Sequence, residues 1–335
     1  MKDKNILRST ELTAVLGRAE FDKLSHVRGE DAWREYRDLY DKVSELSCVT
    51  DYPIQLDIEL NASCNLKCPM CPISAESPKG KGKSTWFSFE DYKEIINEGV
   101  LKGLRAIKLN YINEPLIRKD LHKFIDYANK KGILDIYLST NGLLMDQSVI
   151  KKLIQSGLTR IQISLDATSE EVYDKMRPGG NFKKTIDNVL NLIKIRNELN
   201  SVTPLIRVNF VKTNENEHQV DEFISQWEDK VEMIGIQEFI PPPISSKTIS
   251  GSSSRDIYKD GFRCSFPFKQ LVINNEKDVL PCCTFWGEYM KIGKLANDTS
   301  ISELWNSQEM QKLRKLHLEG RYYENPICKK CVDSQ

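Results

Sequence analysis

A chain of 335 residues is long enough to bury a sizeable core in one or two domains. Its 48 basic and 48 acidic side chains cancel, which argues against a general nucleic-acid binder. No apolar run reaches the ~18 residues of a membrane span, Met1–Thr13 lacks the apolar core of a signal peptide, and nine cysteines in such a chain read as metal ligands of a protein in the reducing cytoplasm rather than as disulfides.

Met1–Asp51 is charged, with Phe21, Leu24, Trp33, Tyr36, Leu39 and Val43 at helical spacing. This predicts two or three short helices packed on the main domain. No alternation there suggests the strand pair of a peptide-recognition module. Cys48 stands alone and reads as a buried thiol.

From Tyr52 to Phe239, apolar strand-like runs alternate with amphipathic helical runs. The strands are expected at Gln55–Leu60, Ala106–Tyr111, Asp135–Ser139, Arg160–Ser164, Leu205–Val211 and Met233–Phe239. Capping boxes are expected at Ser88 with Asp91 and at Thr168 with Glu171. Gly132 and Gly157 stop two helices, and Phe182–Glu198 reads as a long amphipathic helix. The alternation predicts a parallel sheet with helices outside, six repeats being too few for a closed eight-fold barrel.

Directly after the first strand, Asn61–Pro72 sets Cys64, Cys68 and Cys71 in a C-x3-C-x2-C spacing. Three thiolates on one short loop suit three corners of an iron–sulfur cube and leave the fourth iron open. Clusters that only carry electrons usually have four cysteines, so an open iron points to a bound small molecule. The alternative is a zinc knuckle, which needs a fourth Cys or His; the histidines closest in sequence are His26 and His122. Ser74–Thr85 reads as a solvated loop, or else as a lid carrying Lys79, Lys81 and Lys83 toward an anionic substrate.

Pro241–Pro243 cannot continue a central strand, and with the Ser-rich stretch to Arg255 they mark a linker over residues 241–261. The remainder, 262–335, carries Cys264, Cys282, Cys283, Cys328 and Cys331. It also holds two strands at Gln270–Asn274 and Val279–Cys282, and one helix at Ile301–Leu316.

The cysteine loop resembles the signature of the radical S-adenosylmethionine (SAM) enzymes. The C-terminal order of Cys, hairpin, Pro-Cys-Cys, Gly, Trp-containing helix and Cys-x-x-Cys resembles their SPASM, or twitch, extension. The resemblance implies a partial (β/α)6 TIM-like barrel over residues 52–240, with its site at the C-terminal strand ends, and a small iron–sulfur domain after the linker. It implies two 4Fe–4S clusters, one binding SAM and one auxiliary, and a reductant such as flavodoxin or ferredoxin. In that family SAM is cleaved reductively to a 5′-deoxyadenosyl radical that abstracts hydrogen from a C–H bond. A zinc ribbon is the alternative for the C-terminal thiols.

Cys264, Cys328 and Cys331 have no adjacent competitor as auxiliary ligands. Cys282 and Cys283 point to opposite faces if they lie on a strand, and resemblance to twitch domains favours Cys282, which follows Pro281. Cys283 is then either a hydrogen-atom donor to a substrate radical, as in sugar-epimerising members, or a small buried hydrophobe.

The resemblance also implies SAM contacts. Glu114, in Tyr-Ile-Asn-Glu-Pro where the family carries Gly-Gly-Glu, would accept from the SAM amino group. Ser139 and Asn141 would lie at the ribose, Ser164 and Asp166 at SAM polar groups, and Arg177 at the carboxylate. Asn209 is a further ribose candidate, and Met70 would pack near adenine.

The implied activity is hydrogen abstraction from a small polar substrate of sugar or aminocyclitol type, giving a ketone or an epimer, with no nucleic acid or membrane as partner. A maturase acting on a ribosomal peptide is the second reading, and a non-catalytic electron-transfer protein the third. Lys212, Glu238, Arg255 and Lys259 are candidate substrate contacts from their positions near strand ends or the linker.

Overall fold

A computed structural model describes residues 6–9, 12–15, 18–75, 86–239, 241, 249–251, 262–296 and 298–334. Two short strands, β1 (Ile6–Ser9) and β2 (Leu12–Val15), precede helices α1 (Arg18–Arg28) and α2 (Glu30–Ser44). Then come β3 (Gln55–Ile58), α3 (Pro72–Ala75), α4 (Phe89–Lys102), β4 (Ala106–Lys108), α5 (Leu121–Lys130), β5 (Asp135–Thr140), α6 (Gln147–Gln155), β6 (Arg160–Ser164), α7 (Glu170–Met176), α8 (Phe182–Glu198), β7 (Leu205–Lys212), α9 (Val220–Trp227) and β8 (Met233–Glu238). The last part holds α10 (Phe266–Lys269), β9 (Gln270–Ile273), β10 (Asp278–Leu280), β11 (Gly293–Lys294), α11 (Ile301–Trp305), α12 (Gln308–Leu318) and α13 (Pro326–Asp333).

Strands β3 to β8 pair side by side in parallel and in chain order, as strand–helix alternation requires. They form the partial barrel expected from the sequence. The barrel does not close on itself, because both outer strands have other neighbours. β9 continues the sheet in parallel beside β3, with Gln55 opposite Gln270, and β10 and β11 follow antiparallel. On the other side β2 pairs antiparallel with β8, and β1 is the outermost strand.

The two faces of this sheet differ. On β6, Ile161 and Ile163 enter the helix-side core, whereas Arg160, Gln162 and Ser164 alternate onto the inner face. The helix-side core runs without a break from Leu56 and Ile107 through Trp305 and Val332. The C-terminal segment therefore packs on the same core as the barrel. Trp305 adds an Nε1–H donation to the Thr50 carbonyl at 2.7 Å.

Helix α2 lies across the N-terminal ends of the strands. Its Trp33 and Tyr36 pack with Ala106, Leu134, Leu205 and Met233, residues at or next to the first positions of β4, β5, β7 and β8. That seals one end of the barrel and leaves the C-terminal ends for a site. No described helix is long and apolar enough to cross a membrane.

Several local expectations need correction. The N-terminal extension carries a β-hairpin besides its helices; two four-residue strands show too little alternation to be seen in sequence. Helix α7 is capped at Ser169, not Thr168. Thr168 instead donates its N–H to Gln219 and its hydroxyl to Glu222, so tertiary bonds outcompete the local box. The helix expected over Ile301–Leu316 is two helices, because Ser307 accepts from Met310 N–H and starts α12 afresh. Most of Ser74–Thr85 and of the linker, with Arg255 and Lys259, lies outside the described residues.

Candidate active site

The cysteine loop leaves β3 and is held from three sides. Asn61, fully buried, accepts from Ser63 N–H and donates to the Glu114 carbonyl, while Glu114 N–H donates to the Ser63 carbonyl. Asn141 donates to the Asn65 side chain at 2.9 Å, and Lys67 N–H donates to the Pro178 carbonyl at 3.0 Å. Beneath the loop Leu66, Cys68 and Met70 join Val172, Tyr173 and Met176 in a small apolar cluster, with Cys64 and Cys71 packed at its edge. Met70 thus lies in an apolar setting, as an adenine neighbour would.

The three thiols feel one another electrostatically, and burial pushes all three up, Cys71 to about 12. Buried thiols of this kind become thiolates only when a metal displaces the proton. Cys68 also accepts a long contact from Arg177 Nη1, 3.9 Å from its sulfur.

Arg177 and Asp166 form a buried ion pair. Burial works against the guanidinium charge, but Asp166, Cys68 and Tyr173 together hold it firmly protonated. Asp166 is fully buried and sits at φ +60°, a left-handed backbone that Asp tolerates better than most residues. Val211 N–H donates to its carboxylate at 2.7 Å, and Asn216 donates to its carbonyl at 2.9 Å. Each carboxylate oxygen therefore takes one donor within the protein, and Asp166 holds Arg177 in place. Arg177 Nε has no partner.

Glu114 is 2% exposed and binds its surroundings with both oxygens. One accepts from Leu116 N–H and the Thr140 hydroxyl, the other from Asn141 N–H at 2.8 Å. Burial pushes its carboxyl up against these donors. A single acceptor position remains, so Glu114 fastens the ends of β4 and β5 together whatever else it contacts. Ser139 takes the Asn110 side-chain oxygen on its N–H and donates its hydroxyl to Gln162. Ser164 and Asn209 stand opposite each other on β6 and β7. Asn113 Nδ2 and Asn209 Oδ1 are buried without partners. With Arg177 Nε they are three unanswered polar atoms on segments at the C-terminal strand ends. Donors, an acceptor and a cation in that setting fit an amino-acid nucleoside held over a cluster with an open iron.

In the C-terminal segment, Cys264, Cys282, Cys328 and Cys331 line one cavity together with Met290 and His317. Cys328 and Cys331 are one turn apart on α13. Burial pushes the Cys328 thiol up to about 12, and the charges of Cys282 and Cys331 add to this. Four thiols standing around a cavity fit the corners of a larger cluster. Cys283 is not among them: it packs against the small cluster of Tyr111, Val272 and Leu280. Tyr111 in turn donates its hydroxyl to the Thr284 carbonyl at 2.7 Å, tying the end of β4 to the C-terminal segment.

His317 was not singled out in the sequence, having no motif around it. It is 2% exposed, and burial lowers its pKa to about 4, so the ring is neutral. Nδ1 accepts from Cys264 N–H, which puts the proton on Nε2, 3.6 Å from the Cys328 sulfur. Gln162 was also missed, although the period-two pattern Arg160, Gln162, Ser164 was there to be read. Lys212 and Glu238 pair with each other at 2.5 Å.

Residues 58–224 match the family model of the radical SAM superfamily, and residues 264–332 that of an iron–sulfur cluster-binding domain, SPASM. A probable GTP 3′,8-cyclase of Methanococcus maripaludis is 31% identical over 184 residues, 55% of this chain and 58% of that protein. The mycofactocin maturase MftC of Mycolicibacterium smegmatis is 33% identical over 177 residues, 52% of this chain and 41% of that protein. The match thus spans less than two thirds of these relatives' length. Among solved structures, BtrN in complex with AdoMet and 2-DOIA superposes with a TM-score of 0.54 at 17% identity, covering 83% of this chain and 92% of that one. Native anSMEcpe with bound AdoMet superposes with a TM-score of 0.60 at 17% identity, covering 83% and 88%. These similarities show a shared fold.

Proposed function

From the premise that the chain belongs to the radical SAM superfamily, in the group with a C-terminal SPASM domain, we propose that it removes a hydrogen atom from a carbinol carbon of a small polar substrate of sugar, aminocyclitol or nucleotide-sugar type. Membership brings a 4Fe–4S cluster with SAM, and the SPASM domain brings auxiliary iron–sulfur. When bound, these groups supply the hydrogen-abstracting radical and an electron acceptor. Cys64, Cys68 and Cys71 would hold the first cluster and Cys264, Cys282, Cys328 and Cys331 the second. Arg177, oriented by Asp166, would take the SAM carboxylate. Asn113, Ser139, Asn141, Ser164 and Asn209 would contact the nucleoside.

The observation that carries the substrate reading is the polar inner face of the barrel. Such interiors are ordinarily filled with Val, Ile and Leu. Here Gln55, Asp57, Tyr137, Arg160, Gln162 and Arg207 project inward; Gln55 donates to both Asp57 and the Tyr137 hydroxyl. A hydroxyl-rich molecule meets partners there, whereas an apolar one leaves them stranded. None of the nine cysteines pairs in a disulfide.

Cys283 divides the two outcomes. As a hydrogen donor it returns a hydrogen atom to the substrate radical and gives an epimer. Without that return, loss of one electron and the hydroxyl proton gives a ketone. Turnover of candidate sugars with SAM in deuterated water tests this. Deuterium at one sugar carbon, lost in Cys283→Ala, is expected for epimerisation; loss of H2 without deuterium marks oxidation. If peptides are modified and no sugar or cyclitol is turned over, the reading is wrong.

The peptide reading rests on one specific observation. A strand pair beside helices is what a peptide-recognition module would show, and β1 is the outer strand of the sheet, an edge to which an extended segment could add. Against it, α2 closes the barrel floor, a structural task.

The auxiliary site yields a separate prediction. A neutral Nε2–H donor to a ligand sulfur favours the reduced, more negative cluster. His317→Leu is expected to lower the midpoint potential in a redox titration followed by electron paramagnetic resonance. An unchanged potential at unchanged iron content would remove His317 from that role.

A further inference from the structure

Resting on the reading of a small polar substrate inside the barrel, we infer that Arg207 is a subsite for an oxyanion on that substrate, a carboxylate or a phosphate. Arg207 lies on β7 and faces inward, level with Gln162 of β6. Its Nε and Nη2 are out of contact with solvent and have no hydrogen-bond partner.

The charges around it are already matched to others. Asp135 is bound by Arg160 through two bonds, at 2.8 and 2.6 Å. The charge of Asp57 is faced by Lys108, Lys269 and Arg160. Glu59, nearer the open end, accepts from the N–H groups of Ile112 and Asn275. Among the described residues, no carboxylate pairs with Arg207. It feels the charge of Arg160, of the same sign, and burial followed by that repulsion lowers its pKa to about 10. A forked cation with two shielded, unpaired nitrogens beside another cation is a poor structural element. The same arrangement is a good receptor for a planar or tetrahedral oxyanion, which can take two of its N–H groups at once.

The backbone opposite is shaped for this side chain. A Cβ on Gly235 of β8 would stand 2.2 Å from Arg207 Nη2, 2.7 Å from its Nε and 2.6 Å from Asn209 Oδ1. The guanidinium therefore lies across a glycine, beside the Asn209 oxygen. Alanine at 235 displaces the guanidinium without removing a charge from the protein. Arg207 thus differs from the other basic groups of the lumen in having both an empty coordination and a groove cut for it.

The test uses the full-length, cluster-loaded protein with SAM bound and four probes: inorganic phosphate, glucose 1-phosphate, glucuronate and glucose. Calorimetric titration is expected to show binding of oxyanion probes that weakens with salt, with glucose weaker than the charged sugars. Arg207→Gln and Gly235→Ala should each weaken oxyanion binding at least about tenfold while leaving glucose unchanged. Preference for glucose 1-phosphate over glucuronate, or the reverse, identifies which oxyanion the substrate carries. Binding of no oxyanion, or equal binding by wild type and a folded Gly235→Ala, overturns the subsite and leaves a lumen hydrated by water. SAM cleavage in the same wild-type samples separates the two levels: cleavage without oxyanion binding rejects this subsite alone, whereas no cleavage rejects the radical reading beneath it.

Discussion

Replacing Cys64, Cys68 and Cys71 together by alanine is expected to bring reductive SAM cleavage down to the rate of reductant without protein. The loop makes this a sharp experiment. Its path is set by Asn61, by the Asn141–Asn65 bond and by Lys67 N–H to the Pro178 carbonyl, none of which involves a thiol. Cys64 and Cys71 lie at the edge of the apolar cluster beneath the loop. Only Cys68, 9% exposed, fills part of the core, and removing its sulfur costs about 1 kcal/mol, an order-of-magnitude figure for a small buried group. The variant should fold, show unchanged far-ultraviolet circular dichroism and keep the C-terminal thiols intact. SAM cleavage that persists in this folded variant would remove the loop from the chemistry.

Arg177→Met is the second large effect, and it acts on two properties at once. Loss of a charge-assisted pair with the SAM carboxylate should weaken SAM binding roughly tenfold to a hundredfold, the equivalent of about 1.5–3 kcal/mol. In the apo-protein it also leaves Asp166 buried without its cation. Breaking one side of such a pair costs about 3–5 kcal/mol, whereas replacing both sides by apolar groups is often nearly neutral. The double variant Arg177→Met, Asp166→Leu should therefore recover much of the stability lost in the single one, less what the Val211 N–H loses. It should recover none of the SAM affinity. Equilibrium denaturation and SAM titration of the four proteins in the cycle read the two properties separately. If the double variant regained SAM binding, Arg177 would be a structural residue only.

The parts of this site legible in the sequence are those fixed by short-range chemistry. C-x3-C-x2-C needs no fold to be read, because three thiols within eight residues cannot help but meet. The strand starts followed from apolar runs, although β3 and β4 stop at Ile58 and Lys108, short of the expected Leu60 and Tyr111, and Phe182–Glu198 has the helix limits its amphipathic pattern gave. Cys282 and Cys283 do lie in different surroundings, but not through the strand alternation expected of them, since β10 ends at Leu280. What the sequence could not supply depends on long-range register. That Asp166 also holds Arg177 and accepts from Val211 N–H is seen only in the fold. His317 reaches Cys264 and Cys328 from α12 across gaps of 53 and 11 residues. Arg207 reads as an ordinary strand arginine until Gly235, on the adjacent strand, is seen to make room for it. The N-terminal hairpin was missed for the opposite reason: each strand is four residues long and is fixed by pairing with β8, a partner more than 200 residues away.

The most direct test of the whole account is the metal content of anaerobically prepared protein: iron, acid-labile sulfide and zinc per chain, together with 5′-deoxyadenosine formed from SAM after reduction. About eight irons with matching sulfide, little zinc and release of 5′-deoxyadenosine are predicted, as one three-cysteine and one four-cysteine cubane require. About four irons with stoichiometric zinc would make the C-terminal thiols a structural zinc site and remove the electron acceptor of the oxidative outcome. A full iron complement that leaves SAM uncleaved would contradict the central claim.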